Sequence, residues 1–268
     1  MILVLEADEA SGKTTLSYTA PLPIVGFSFD MGHTRAINGK LWDKYFKGLD
    51  IKVVPYDAKN PSPTVRGDIV IYELPSQIQL DTEKMVGCSE LWNYFVGHAS
   101  VAAQDSTVKT LVVDTMTLAR RLKGDAYLQD LQRRNPQQPR KQLTQIEWGH
   151  ANDTVRDVYN MCAALGKNLV ATHHLTDERK PSVGRDGQVE NLPTGQKVLE
   201  GYNRTYQHAD IVLRMSAVKG HVEAVYEKCG YEMGLKGSTL VDPDWNMIVR
   251  QMKMVTGDRI PFDERVMK

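Results

Sequence analysis

The chain is poor in cysteine and has no excess of charge of either sign. Its three cysteines, Cys88, Cys162 and Cys229, lie far apart among 268 residues, and no Cys-x-x-C pair occurs. This usage argues against a disulfide framework or a structural zinc site and suits a reducing compartment. Lysine and arginine together number 33, as do aspartate and glutamate. Without net charge there is no global field to attract nucleic acid, so nucleic-acid binding requires a local basic patch.

Long apolar runs are also missing. No stretch approaches the roughly 20 residues that span a membrane, and the apolar start at residues 1–5 is too short for the core of a signal peptide. We therefore expect a cytoplasmic protein without a membrane partner. A hydrophobic content of 41% in 268 residues suffices for one large α/β domain. We predict a single domain over residues 1–268, with a candidate insertion at 47–88 and a small C-terminal extension at 230–268.

The most informative stretch lies at the start of the chain. The apolar run Ile2-Leu3-Val4-Leu5 precedes a loop that ends in Gly-Lys-Thr-Thr. Strand, loop and helix in this order are typical of a P-loop, whose backbone N–H groups and helix N-terminus hold phosphates. Lys13 is expected to reach the β- and γ-phosphates, and the Thr14 hydroxyl to bind Mg²⁺. The predicted nucleotide-binding residues are Ala10, Ser11, Gly12, Lys13, Thr14 and Thr15.

The loop departs from the full pattern G-x-x-x-x-G-K-[ST] at its first glycine, which is Ala7 here. If this position needs a positive φ, alanine costs strain that glycine would avoid. Asp8 and Glu9 also add negative charge beside the phosphate site. Nucleotide binding is expected nonetheless, and hydrolysis stays open between fast, slow and absent.

Polar residues follow three further apolar runs. Asp30 follows residues 24–29, Asp114 ends the run 109–114, and His173 and His174 follow residues 168–172. Ligands bind at the carboxyl ends of parallel strands, so these side chains are expected to face the P-loop. Asp114 would support Mg²⁺, Asp30 would position a water molecule, and one histidine would sense the γ-phosphate. The alternative for Asp30 is a turn residue or helix cap, and for a histidine a strand-end hydrogen bond to the backbone.

In this order the motifs resemble those of phage-encoded RecA-like, AAA-type nucleotide-binding proteins, a group that includes single-strand annealing and recombination ATPases. The resemblance covers about residues 1–228. It rests on GKTT at 12–15, LVVDT at 111–115, ATHH at 171–174 and ADIVLRM at 209–215. It implies an α/β fold with a mainly parallel central sheet, helices on both faces and an antiparallel C-terminal edge.

The resemblance also implies ATP and Mg²⁺ as cofactors and Lys13, Asp114 and a histidine at 173 or 174 as catalytic-site residues. RecA-like enzymes carry a catalytic Glu after the second strand. Here residues 29–32 contain no Glu, so Asp30 is the candidate replacement. A homo-oligomer is expected, with phage or host recombination and replication proteins as further partners.

Two basic stretches, one after Asp114 and one after His174, are candidates for contact with single-stranded DNA. By the resemblance, the loops at these two places correspond to the DNA-facing loops of the RecA core. The first can also be a solvated helix and connector. The second, 176–207, is either a functional loop or partly disordered. The basic side chains concerned are Arg133, Arg134, Arg140, Lys141, Arg179, Lys180 and Arg185.

The remaining segments are less informative. Residues 208–215 and 221–226 predict an antiparallel hairpin, and a third short strand is expected around 247–249. The roles of 35–88 and 230–268 are left open.

Three functions fit these patterns. The first is an ATP-binding and ATP-hydrolysing protein of phage DNA recombination or replication that acts on single-stranded DNA. The second is a P-loop kinase for a small molecule or nucleotide, with 119–141 as an arginine-rich lid. The third is a non-catalytic nucleotide-binding scaffold with a degraded site.

Overall fold

A nine-stranded sheet forms the centre of the molecule. The computed structural model describes residues 1–39, 43–59, 64–75, 84–137, 140–183, 189–201 and 204–266. The strands are β1 (Ile2–Glu6), β2 (Ile24–Ser28), β3 (Ile51–Val54), β4 (Ile69–Glu73), β5 (Thr110–Asp114), β6 (Asn168–His173), β7 (Leu175–Val183), β8 (Val189–Leu199), β9 (Ile211–Val218), β10 (His221–Cys229) and β11 (Thr239–Val241).

Helices connect most of these strands and cover both faces of the sheet. They are α1 (Lys13–Ser17), α2 (His33–Asn38), α3 (Asp43–Phe46), α4 (Cys88–Gln104), α5 (Met116–Arg134), α6 (Glu147–Ala164), α7 (Thr205–His208) and α8 (Trp245–Thr256), with a 3-10 helix at Met233–Leu235. Within the described ranges, no helix is both long and apolar enough to cross a membrane.

The strand order across the large sheet is β11-β10-β9-β1-β6-β5-β2-β4-β3. The seven strands from β9 to β3 pair in parallel, whereas β10 and β11 add antiparallel pairs. The predicted mainly parallel sheet with an antiparallel C-terminal edge is therefore confirmed. Strands β1 and β5 are not neighbours, because β6 lies between them. This order places the end of β6 between the P-loop and Asp114.

The alternation of side chains along β1 shows how the two faces are filled. Ile2 and Val4 pack in a core cluster with α4, α5 and α6, whereas Leu3 and Leu5 pack in a second cluster with α1, α3 and α8. Because successive side chains on a strand point to opposite faces, a strand apolar on both faces reads as one continuous run. Helices on both faces were predicted, and the structure has them.

One sequence expectation outside the parallel sheet is wrong. Residues 247–249 lie in α8 rather than in a strand, and the carboxylate of Asp244 accepts a hydrogen bond from Met247 N at 2.7 Å as the N-cap of that helix. The stretch 176–207, predicted to be a functional loop or partly disordered, is largely regular in its described residues. It contains the β7–β8 hairpin, which forms a separate two-stranded sheet, and the beginning of α7.

Candidate nucleotide site

The P-loop connects β1 to α1 and holds two left-handed residues. Gly12 has φ 84° and Ala10 has φ 57°. The strain anticipated at Ala7 is therefore not there: the left-handed alanine is Ala10, where an L-residue pays about 1–2 kcal/mol. A Cβ atom on Gly12 would also lie 3.1 Å from Val222 Cγ2 of β10. The loop conformation thus requires glycine at position 12 and tolerates alanine at position 7.

Lys13 lies across this loop with its ammonium group at the centre. Its Nζ donates to Ala7 O at 3.0 Å, to Asp8 O at 2.7 Å and to Ser11 Oγ at 3.4 Å. Burial lowers the pKa of Lys13, while Asp114, Asp30, Asp8 and Glu9 act in the opposite direction. The loop therefore holds a cation where phosphate oxygens can replace its own carbonyls as hydrogen-bond acceptors.

Asp114 is the buried acid of the site. Its Oδ2 accepts from Thr14 Oγ1 at 2.9 Å, and its Oδ1 accepts from Thr172 Oγ1. Burial raises the pKa of Asp114 to about 6, with Asp30 adding to the rise and the Thr172, Thr14 and Lys13 contacts opposing it. Two hydroxyls and one carboxylate thus converge between the ends of α1, β5 and β6. Thr172 was not predicted as a site residue, because it lies inside the run that forms β6, whereas the two histidines follow that run.

The two histidines after β6 have different surroundings. His173 is 1% exposed, with Nε2 3.1 Å from Tyr159 Oη and Nδ1 3.4 Å from Glu200 O. Burial lowers its pKa to about 4. Its side chain therefore contacts α6 and the residue that follows β8, and the sensor role expected of one of the two histidines stays a prediction. His174 is half-buried and lines the cleft above the P-loop.

Asp30 follows β2 at the edge of the same cleft. It is exposed, and its Oδ1 accepts a hydrogen bond from Gly32 N at 2.8 Å. This contact is the one expected of a turn residue, which was the alternative interpretation of Asp30. Asp30 also lines the cleft, and its water-positioning role stays a prediction.

The cleft has a volume of about 400 Å³, enough for a triphosphate chain. It opens at the carboxyl ends of β1, β2 and β6, where ligands bind in parallel α/β sheets. Its lining residues are Glu9, Ala10, Ser11, Gly12, Lys13, Thr14, Thr15, Asp30, Gly32, Arg35, Ala36 and His174.

A nucleotide and Mg²⁺ fit this arrangement of donors and acceptors. Lys13 and the start of α1 supply the positive side of the site, and Thr14 and Asp114 supply oxygen ligands of the kind that Mg²⁺ prefers. Among the described residues no group of three His, Cys, Asp or Glu side chains could hold a metal ion. This agrees with the usual Mg²⁺ site of such proteins, which completes its shell with water and substrate phosphates.

A family model described as an AAA domain matches residues 1–239. The chain belongs to this AAA-domain family. It is accordingly a P-loop nucleotide-binding protein, and the part of the resemblance that concerns an AAA-type nucleotide site is confirmed.

Other comparisons add the following. No curated protein matches the chain. Among solved structures, it is similar to a KaiC-like protein of the hyperthermophilic archaeon Pyrococcus horikoshii, with 14% identity over 90% of this chain and 89% of that one and a TM-score of 0.42.

The basic residues predicted to face DNA fall into two groups in this AAA domain. In the first group, Arg133 pairs with Glu90, and Arg140 forms a two-pronged ion pair with Glu147. Arg134 and Lys141 are exposed. Two of these four side chains form ion pairs with residues of α4 and α6. This fits the alternative of a solvated helix and connector, and contact of this stretch with DNA stays a prediction.

The second basic group lies on the hairpin. Arg179 and Lys180 are exposed on β7, and Lys180 Nζ lies 3.3 Å from Glu178 Oε2. Arg185 lies outside the described residues. On β8, Lys197 Nζ contacts both carboxylate oxygens of Asp8 at 2.7 and 2.8 Å. The hairpin is therefore tied to the P-loop itself by an ion pair.

Proposed function

We propose that the protein binds and hydrolyses ATP with Mg²⁺ and that its nucleotide state controls the β7–β8 hairpin. The observation that carries this proposal is that Lys13 and Thr14 line one cleft and that buried Asp114 accepts a hydrogen bond from Thr14 at 2.9 Å directly beside it. Lys13 stabilises negative charge on the transferring phosphoryl group, and Asp30 orients the attacking water. Thr14 and Asp114 would hold Mg²⁺, which would supply positive charge beside the phosphates.

The proposed substrate of the hairpin is single-stranded DNA, in phage recombination or replication in the host cytoplasm. The support is positional. Strand β7 starts directly after His174, which lines the cleft, and β8 contacts Asp8 of the P-loop through Lys197. Exposed cations on β7 can contact DNA phosphates, and a homo-oligomer would place several hairpins along one strand.

ATP turnover with and without single-stranded DNA tests this function. Wild type, Lys13→Ala, Asp30→Ala and Asp114→Asn are compared at fixed Mg²⁺. We expect Lys13→Ala to weaken nucleotide binding at least tenfold, since it removes the phosphate-binding ammonium. Asp30→Ala should lower kcat with little change in nucleotide affinity. Unchanged nucleotide binding by Lys13→Ala would contradict the assigned site, and absence of any DNA effect on binding or turnover would contradict the DNA part.

A non-catalytic nucleotide-binding scaffold is the second candidate. It is favoured by the exposure of Asp30, which hydrogen-bonds to its own turn, and by the absence of a glutamate directly after β2. Tight ATP binding without turnover, with or without DNA, would establish it.

The kinase alternative has less support. Among the described residues that line the cleft, none comes from 119–141, and most of this stretch lies in α5. A lid in that position would have to reach the cleft from outside it.

A further inference from the structure

Four carboxylates lie in or beside the nucleotide cleft: Glu9 and Asp30 line it, and Asp8 and Asp114 adjoin the P-loop. Asp8, Glu9, Asp30 and Asp114 all lie close enough to Lys13 to influence its pKa. Lys197 neutralises Asp8. A triphosphate brings several further negative charges into the same space, so Lys13 and one divalent ion leave the site short of positive charge. A further cation in the cleft would therefore favour binding of the triphosphate.

Arg35 is such a cation. It lies on α2, is exposed, and lines the cleft together with Gly32 and Ala36. Within the ranges that the structure describes, no carboxylate forms an ion pair with it, whereas Arg133 and Arg140 elsewhere are both paired. A guanidinium presents a planar fork of donors that matches phosphate oxygens. Arg35 is thus an unpaired arginine at the rim of a phosphate site.

Helix α2 is held in place by His33, whose Nδ1 has a hydrogen-bond partner and whose Nε2 approaches a carboxylate without hydrogen-bond geometry. His33 is 0% exposed, with Nδ1 2.9 Å from Ser28 Oγ and Nε2 3.2 Å from Glu73 Oε1. Ser28 ends β2 and Glu73 ends β4, and the two residues are register partners. His33 therefore attaches the start of α2 to two strand ends. Residues two positions apart on a helix point in different directions, so Arg35 can face the cleft while His33 faces the sheet.

We propose that Arg35 contacts the terminal phosphate of the bound triphosphate in cis and that His33, between Ser28 and Glu73, is its positioning residue. This inference rests on the proposed nucleotide-binding function. Arg35 lines the same cleft as Lys13 and Thr14, on the part formed by α2 and the Asp30 turn. It adds to the positive charge that Lys13 brings to the cleft. A diphosphate, which has no γ-phosphate, should not use it.

Equilibrium binding of ADP and of a non-hydrolysable ATP analogue separates this contact from a general electrostatic effect. We expect Arg35→Ala to weaken binding of the triphosphate analogue about 10- to 100-fold, the range of a charge-assisted hydrogen bond. ADP affinity should change less than about twofold, and Arg35→Lys should lie between wild type and Arg35→Ala. Arg250→Ala, an exposed arginine of α8 away from the cleft, should bind both nucleotides as wild type does.

The positioning role is tested by non-additivity. His33→Ala and the milder Glu73→Gln should each reduce the preference for the triphosphate analogue over ADP, and neither should reduce it further when Arg35 is already alanine. A merely structural role would weaken both nucleotides and add to the Arg35→Ala loss. Circular dichroism checks that each variant is folded, and Glu73→Gln keeps the test valid if His33→Ala is not.

The outcomes separate the inference from the function on which it rests. If wild type binds no nucleotide, the proposed function fails and this inference with it. If wild type binds and Lys13→Ala does not, but Arg35→Ala keeps the full preference for the triphosphate or loses both nucleotides equally, the inference alone is overturned.

Discussion

His173 is a buried neutral base whose environment makes stability depend on pH. Its folded-state pKa is about 4, below the ordinary 6.5, because burial disfavours the imidazolium. Between these values the unfolded chain binds a proton that the folded chain does not, so stability is lost as pH falls from 6.5 to 4. The group is 1% exposed, so little solvent screening applies.

We predict that His173→Gln is less sensitive to acid than wild type. Between pH 7 and pH 4, the unfolding free energy of wild type should fall about 3 kcal/mol more than that of the variant. Urea denaturation at several pH values measures this. His150→Gln, at an exposed histidine of α6, controls for the loss of an imidazole as such. Parallel pH curves for wild type and His173→Gln would contradict the prediction.

Gly26 in the middle of β2 makes room for a buried tyrosine. A Cβ atom there would lie 2.5 Å from Tyr18 Oη and 2.7 Å from its Cε1, and Tyr18 is 0% exposed. We predict that Gly26→Ala destabilises the protein by about 1–3 kcal/mol through overpacking, as measured by the urea midpoint.

A second glycine provides the matched control with the opposite sign. Gly97 lies inside α4, and a Cβ atom there would meet nothing within 4 Å. Gly97→Ala should therefore stabilise the protein by about 0.5–1 kcal/mol, the difference in helix propensity. Equal effects of the two substitutions would show that the Tyr18 contact does not restrict position 26.

At the scale of elements, the β7–β8 hairpin is separate from the nine-stranded central sheet. It forms a sheet of two strands, most of its described side chains are exposed, and Leu192 is 48% exposed. A two-stranded ribbon alone is marginally stable in water. Its attachments near the base, among them Glu200 N to His174 O at 2.8 Å and the Lys197–Asp8 pair, therefore determine how firmly it is held.

We predict opposite effects on ATP affinity from the two members of the Lys197–Asp8 pair. Asp8→Asn removes a negative charge beside the phosphates and should tighten ATP binding about two- to fivefold, whereas Lys197→Gln should weaken it by a similar factor. Global stability should change by less than about 1 kcal/mol in either variant, because the pair is exposed.

Titration with a fluorescent nucleotide at low and high salt measures these affinities. Both effects should shrink at 1 M salt, where screening acts over about 3 Å. Effects of the same sign in the two variants would show that the pair does not act through charge at the phosphate site.

At the scale of the whole molecule, the C-terminal segment packs against the end of the P-loop helix α1 through Arg265. Arg265 is 4% exposed and donates to Tyr18 O at 2.8 Å, Ala20 O at 2.9 Å and Tyr45 O at 2.8 Å. Burial lowers its pKa to about 10, which still leaves it charged at neutral pH. The segment 230–268, whose role the sequence left open, thus satisfies the carbonyls at the end of α1.

We predict that Arg265→Ala destabilises the protein by about 2–4 kcal/mol, because it leaves three carbonyls without their charged donor. Since α1 carries Thr14, nucleotide affinity should fall as well. Thermal unfolding with and without Mg²⁺ and ATP measures both effects. Arg259→Ala, an exposed arginine of the same segment, is the control and should change the unfolding temperature little. A wild-type unfolding temperature for Arg265→Ala would contradict the assigned role.

Local patterns in the sequence were enough for the main elements of the site. An apolar strand followed by Gly-Lys-Thr, and apolar strands followed by Asp30 or Asp114, are signals within about ten residues, so they predicted β1, β2, β5 and β6 and the edge of the sheet where they end. The apolar alternation around 208–226 likewise predicted the β9–β10 hairpin. The parallel sheet with its antiparallel edge was implied by the family resemblance that these motifs carry in their order.

Other features depend on contacts between distant segments, and only the tertiary structure decided them. The β7–β8 hairpin is polar on its exposed sides, so it lacks the alternation that marks a half-buried strand. Which of two successive residues faces the cleft depends on the orientation of β6 in the sheet, and this turns Thr172 toward Asp114 and His173 toward Tyr159. The Ser28–His33–Glu73 chain joins two strand ends 45 positions apart through one histidine. No local pattern encodes that approach, because the parallel register of β2 and β4 is what creates it.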